Sequence, residues 1–227
     1  MKFDPLAFCI TIPVILLALT IHEFAHAKVA DAAGDPTPRS QGRVTLNPLA
    51  HLDPLGTLMI LLTAITGFGI GWGRPVQVNP TKMRNMRWDH FWSVAAGPIS
   101  NLIQATLYAV FIRVLYSKVT MVGAMQEIAI HGPSSNPLFY FFFIGVIVNV
   151  SLAVFNMLPI GPLDGHWLVG TFLPMETRMR WYMWNRTTGS FLLLMLILVG
   201  GMNREFDLIG RVLEPAAMRL TAFFLGV

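Results

Sequence analysis

Long apolar runs are the feature that most limits how this chain can fold. The first run extends from Leu6 to about Ala30, and its first sixteen residues carry no charge. A helix rises about 1.5 Å per residue, so crossing a ~30 Å hydrocarbon core takes about 20 residues. Because backbone amides in lipid must be bonded within their own segment, such runs predict membrane-spanning helices. Further runs cover residues 91–112, 138–158 and, more briefly, 188–202.

The composition supports a single membrane domain over residues 1–227. The chain is 54% hydrophobic and 12% charged, whereas charged residues make up about 25% of an average soluble domain. Its net charge is only +4, and the basic residues lie between the apolar runs. That distribution is typical of loops beside anionic lipid, so we expect a lipid bilayer and no nucleic acid as partner. One cysteine, Cys9, allows no intramolecular disulfide.

Residues 55–73 differ from the other apolar segments. Only about a dozen of them look helical, which gives roughly 18 Å and is too short for a span. The glycines of residues 67–73 alternate with Phe68, Ile70 and Trp72, a period of two that indicates an extended strand with one bare face. We predict a re-entrant helix and strand that return to the side they left. The tail, residues 206–227, is predicted to be an amphipathic helix that lies on the membrane or packs across the bundle.

The sequence His22-Glu23-Phe24-Ala25-His26 ends the first apolar run. Residues four apart share a helix face, so His22 and His26 can bind one metal ion. Glu23 then lies where it can take a proton from a water on that metal. This H-E-x-x-H pattern is the signature of a zinc peptidase. Its position in a membrane-length helix predicts cleavage of peptide bonds within or beside the bilayer.

A metal held by two histidines needs a third protein ligand and an open position for water. Asp164 is the best candidate, since it follows the run at 138–158 in the segment Asn156-Met157-Leu158-Pro159-Ile160-Gly161-Pro162-Leu163-Asp164-Gly165. The prolines make regular helix improbable in that segment. An acidic residue near hydrocarbon costs about 2.5–3.5 kcal/mol and usually has a partner. The alternative is a loop in which Asp164 only caps the next turn.

These motifs together resemble the site-2 protease family of intramembrane zinc metalloproteases. The third family motif, Gly-Pro-x-x-Asn, is present as Gly97-Pro98-Ile99-Ser100-Asn101 in the run at 91–112. The resemblance implies an all-α polytopic membrane protein: a three-span core, the re-entrant helix/strand segment, and one or two further C-terminal helices. It implies that His22, His26 and Asp164 bind one Zn2+ per chain and that Glu23 is the general acid/base. The chain resembles short members that lack PDZ and nucleotide-sensing domains.

The topology follows from where the ligands lie. His22 and Asp164 are both at the far ends of their runs, so those two spans must be parallel for the ligands to meet. With one span between them, residues 55–73 must make no net crossing. Nine Lys or Arg residues then lie on the metal side and six on the other, which predicts an active site toward the cytoplasm. The nine are Arg39, Arg43, Arg74, Lys82, Arg84, Arg87, Arg178, Arg180 and Arg186.

The predicted substrate is a transmembrane protein that is locally unwound for cleavage. Asn101 is assigned to substrate binding or oxyanion support, or alternatively to a bond between helices. Gly69 and Gly71 are assigned to strand pairing with the substrate, or alternatively to close packing against a helix. For His51 a loop-fixing hydrogen bond is preferred over a fourth metal ligand. The rival functions are a catalytically silent metal-binding scaffold and, less well supported, a zinc transporter.

Overall fold

The computed structural model describes residues 4–66, 71–202 and 207–227, most of which lie in helices. No β-strand is present in those three ranges, so the predicted all-α polytopic fold is confirmed. The helices, numbered in chain order, are α1 Pro5–Ala32, α2 Thr37–Ser40, α3 Pro54–Thr66, α4 Trp88–Leu115, α5 Lys118–His131, α6 Pro137–Asn156, α7 Asp164–Phe172, α8 Met175–Trp184, α9 Ser190–Met202 and α10 Leu208–Leu225.

Among the described residues, four helical segments are long and apolar enough to cross a membrane. Three of them are α1, α4 and α6. The fourth, Met175–Gly201, joins α8 and α9 through a π-helical turn at Asn185–Gly189. It is longer than the run predicted at 188–202. Charged residues lower the hydropathy of its first half, so only the second half was recognised as an apolar run. The protein is therefore an integral membrane protein.

Helix α4 packs between α1 and α6 in the centre of the bundle. The Asn101 side chain donates to Ala18 O on α1 at 3.4 Å and to Asn149 Oδ1 on α6 at 2.9 Å. Further along the bundle, the Thr11 and Tyr140 hydroxyls lie 3.0 Å apart. Residue numbers thus rise in the same direction along α1 and α6, which makes those two helices parallel, as the ligand positions require.

The largest cluster of buried apolar residues lies at the end of the bundle where α4 finishes. Its buried members come from α4, α5, α6 and the C-terminal helix, and Ile112 and Phe139 are fully enclosed. Leu225 joins the same cluster, so α10 packs on the bundle, against α4, α6 and α9. Helix α5 was not predicted, because Lys118, Glu127 and His131 interrupt its apolar residues.

The segment after α3 returns along that helix. An isolated antiparallel bridge joins Leu52 to Gly73. A β-carbon on Gly56 would lie 2.0 Å from Trp72 O, and one on Gly71 would lie 2.0 Å from Ile60 Cγ1. The chain therefore comes back to the point where α3 begins. The predicted strand at 67–73 is partly outside the described residues, since these omit 67–70 and with them Gly69, and residues 71–73 form one bridge only.

The proximity of Leu52 and Gly73 can be tested by cross-linking. In a Cys9→Ser background, the double substitution Leu52→Cys with Gly73→Cys should form a disulfide under oxidising conditions. The reason is that the β-carbons of facing residues in an antiparallel pair are close enough for a disulfide to join them. The measurement is the mobility shift under oxidation and reduction. A Leu52→Cys with Ser117→Cys pair, which joins opposite ends of the bundle, is the control. Absence of cross-linking in the first pair would contradict a segment without net crossing.

Candidate metal centre

Two histidines of α1 face one point inside the bundle. His22 and His26 lie one helical turn apart, and both are buried. Their Nε2 atoms are 3.0 Å from one another, with the two rings nearly perpendicular. Both residues belong to the last three turns of α1, so this point lies toward the end of the span.

The other ring nitrogen of each histidine is bonded to α4. His22 Nδ1 lies 2.6 Å from Asn101 Oδ1, and His26 Nδ1 lies 2.8 Å from Ser93 O. A carbonyl oxygen only accepts, so Nδ1 carries the proton in both rings and the neutral ring has its lone pair on Nε2. This outer hydrogen bond fixes the tautomer that metal-ligating histidines use.

A second bond sets the orientation of the Asn101 amide. Its Nδ2 group donates to Asn149 Oδ1, and Asn149 Nδ2 donates in turn to Gly145 O. Asn101 Oδ1 is thereby left to accept from His22. Asn101 and Asn149 are both fully buried. Because Asn101 contacts the ring of His22, it can orient that histidine. Its role in substrate binding remains a prediction.

Asp164 completes a set of three electron donors. It is the first residue of α7, and its Oδ2 lies 3.3 Å from both His22 Nε2 and His26 Nε2. This oxygen is buried and has no hydrogen-bond partner. Zinc bonds of about 2.0 Å in a tetrahedron place ligand atoms about 3.3 Å apart. The donor types and their spacing therefore fit Zn2+, with one position left for water.

A glycine of α4 makes room for both imidazoles. A β-carbon on Gly97 would lie 2.3 Å from His26 Nε2 and 2.7 Å from His22 Cε1. Ser93, Gly97 and Asn101 recur every four residues, so α4 presents a carbonyl, a gap and an amide on one face. Ser93 and Asn149 were missed in the sequence analysis. The four-residue spacing before Asn101 is a signal that could have identified Ser93.

Glu23 lies beside the histidines and beneath the chain that follows the re-entrant segment. It is half-buried, and its Oε2 accepts from the Val76 backbone amide at 2.9 Å. A β-carbon on Gly73 would lie 3.9 Å from Glu23 Cγ. Residues 71–79 thus pass over the carboxylate in irregular structure.

The segment over Glu23 is attached to the end of α1 by a buried carboxylate. Asp35 is fully buried, with Oδ1 accepting from Thr37 N at 3.0 Å and Oδ2 from Asn79 N at 2.6 Å. Burial alone would raise the pKa of Asp35, but the hydrogen bonds from Thr37 and Asn79 outweigh it and the pKa is lowered. The carboxylate therefore keeps its charge at neutral pH and keeps these bonds.

His51 lies outside the metal centre. Its side chain is buried, and Nε2 lies 2.8 Å from Thr45 O, six residues earlier in the same loop. Within the described residues, the histidine and acidic side chains that converge on one point are His22, His26 and Asp164. The bond to Thr45 O is of the loop-fixing kind that the sequence favours for His51 over a fourth metal ligand.

Substituting Gly97 by Ala should remove metal binding. The new methyl group would overlap both imidazoles, so zinc affinity should fall by more than about 100-fold, the upper end of the losses caused by outer-shell changes. Zinc content and affinity of the purified protein are the measurements. Gly123→Ala is the matched control, since a β-carbon there has no atom within 4 Å. Equal zinc affinity in both variants would contradict the close approach.

Substituting Asn101 by Ala tests whether this amide orients His22. Loss of the 2.6 Å contact to Nδ1 should lower zinc affinity by about 10–100-fold, as for other partners of metal-bound histidines. Isothermal titration of the metal-free protein with zinc measures it. If Asn101 served the substrate alone, affinity would stay unchanged and only turnover would fall.

Comparison with known proteins identifies the family. Residues 10–199 match the model of peptidase family M50. A Bacillus subtilis protein named "Putative zinc metalloprotease YwhC" is 39% identical over 164 residues, which are 72% of this chain and 69% of the relative. Rip2 of Mycolicibacterium smegmatis, whose name carries the same description, is 29% identical over 84% of this chain and 67% of the relative. No solved structure matches. The chain belongs to peptidase family M50, the family of the site-2 proteases and a family of zinc metalloproteases.

Proposed function

We propose that this protein is a zinc-dependent intramembrane endopeptidase that cleaves within or beside the transmembrane segments of its substrates. The observation that carries the proposal is the meeting of His22, His26 and Asp164 in a buried site, with Glu23 adjacent to one of these histidines, in a bundle that contains membrane-length helices. The family membership supports a metalloprotease. Cleavage of a substrate within the membrane goes beyond the family membership and is what we propose here.

The residues have separate tasks in the proposed reaction. His22, His26 and Asp164 would hold one zinc ion per chain. When bound, zinc lowers the pKa of water to about 7 and polarises a carbonyl group. Glu23 accepts the proton as water attacks the peptide carbonyl and later returns it to the leaving amine. Asn101 keeps the His22 ring in its ligating tautomer.

An apolar cavity supports a transmembrane substrate. About 970 Å³ of open space lies between α1, α3, α6 and α10. From α1 it is lined by Thr11, Ile15 and Leu19, and Glu23 is one helical turn beyond Leu19. A groove of this composition suits the apolar side chains of a membrane segment better than a water-soluble peptide.

Two finer parts of the proposal concern the re-entrant segment and the side of the membrane that the active site faces. Gly71 lines the cavity and also packs against Ile60, so strand pairing with the substrate at Gly69 and Gly71 is proposed together with close packing at Gly71. The excess of basic residues around the metal end supports a cytoplasmic active site.

Replacing Glu23 by Gln should abolish cleavage while leaving zinc in place. The amide cannot accept the proton of water, so turnover should fall by at least about 100-fold, as for loss of a general base. The measurement compares membrane proteomes of cells that express the intact chain or the variant and searches for single-pass proteins shortened within their span. Glu127→Gln, an exposed position on α5, is the control for loss of one carboxylate.

The outcome separates the two rival functions. Fragments that depend on Glu23 and persist in the Glu127→Gln control would identify both the activity and the substrate. Matching proteomes, with zinc bound in both proteins, would instead favour the catalytically silent scaffold.

A further inference from the structure

We infer that Asn185 is a positioning residue for the third ligand, Asp164, and that the fourth span controls this half of the metal centre. Asn185 is the first residue of the π-helical turn between α8 and α9, and it is fully buried. It lies 21 residues after Asp164 in the sequence. The inference concerns the metal centre and does not require the proposed proteolytic function.

The loop that carries Asp164 has little regular structure of its own. Between the end of α6 and the start of α7, its Pro159 and Pro162 have no amide hydrogen to donate. One turn bond, from Leu163 N to Ile160 O at 3.1 Å, connects residues inside it. Contacts from outside the loop therefore contribute to the position of Asp164, beside the close packing of Gly165 on Met157 O and Leu158 O.

Asn185 supplies such a contact before Asp164. Its Oδ1 accepts from Gly161 N at 2.6 Å, and its Nδ2 donates to Trp181 O at 3.1 Å. The approach is possible because residue 161 is glycine: a β-carbon there would lie 2.6 Å from Asn185 O. Asn185 thus accepts a hydrogen bond from the buried amide of Gly161, three residues before the metal ligand Asp164.

The same face of the fourth span also holds the chain after Asp164. Trp181 Nε1 donates to His166 O at 2.8 Å, and Arg178 donates to Gly170 O at 3.0 Å and Leu173 O at 2.8 Å. Arg178, Trp181 and Asn185 are spaced three and four apart, so they project from one side of the helix. The ligand is held on both sides by these three residues.

The two halves of the metal centre differ in their hydrogen-bond partners, although α7 also packs on α4 through Leu168, Val94 and Ala95. The ring bonds of His22 and His26 come from α4, and neither involves α8 or the π-helical turn. A π-helical turn widens the helix by one residue and is often found at functional sites. Here its first residue faces Gly161. Loss of the Asn185 acceptor should displace Asp164 while the histidine pair keeps its geometry.

The test uses the full chain in lipid nanodiscs, titrated with zinc alone and with cobalt alone. Asn185→Leu keeps the side-chain size and removes the acceptor, and its zinc affinity should fall by about 10–100-fold. The visible absorption of the cobalt form should also change, because it reports the ligand set. Asn185→Asp keeps an oxygen toward Gly161 N and should restore most of the affinity and the spectrum. Thr187→Val, an exposed position in the same turn, is the control.

The outcomes distinguish positioning from general destabilisation. A metal-free Asn185→Leu protein that melts within about 3 °C of the intact one, yet binds zinc weakly with an altered cobalt spectrum, would support the inference. Unchanged affinity in Asn185→Leu, or an affinity loss that Asn185→Asp does not reverse, would overturn it. If the intact chain bound neither metal, the metal centre and the proposed function would both be wrong, whereas binding without proteolysis would refute the function alone.

Discussion

The polar interior of the bundle is arranged around one electrostatic requirement, the need for a cation where three electron donors meet. Two imidazole lone pairs and a carboxylate oxygen lie within 3.3 Å of each other, and the carboxylate oxygen has no hydrogen-bond donor. In a medium of low dielectric such a group is unfavourable without a positive charge. Zinc would supply that charge. The parallel course of α1 and α6 and the return of the chain after α3 allow the donors to meet.

Helix α4 connects this requirement to the packing of the bundle. Its face contributes a carbonyl at Ser93, a gap at Gly97 and an amide at Asn101, each matched to a histidine of α1. Small and polar residues also favour close helix contact in a membrane, where apolar burial provides little preference for one neighbour. The same residues thus bring α1 and α4 together and hold both rings in their ligating tautomer.

The sequence predicted the spans α1, α4 and α6 and their relative direction, because apolar length and ligand position are both readable from residue types. It also predicted the donors His22, His26 and Asp164, whose meeting the structure shows. It did not predict α5 or the first half of the fourth span, since Arg178 and Arg180 resemble loop residues there. Arg178 instead bonds the carbonyls at the end of α7. The bond from the Val76 amide to Glu23 was also unpredictable, because a backbone group carries no side-chain signature.

The separation of the apolar core from the metal centre has a consequence for how the protein is made. The aromatic cluster around Phe139 lies at the end of the bundle where α1 begins, and Asp4 beside it binds Ser134. None of these contacts needs a metal ion. The spans can therefore associate at that end without the metal centre being filled. Biogenesis would then have two separable stages, assembly in the bilayer and subsequent loading of the ion.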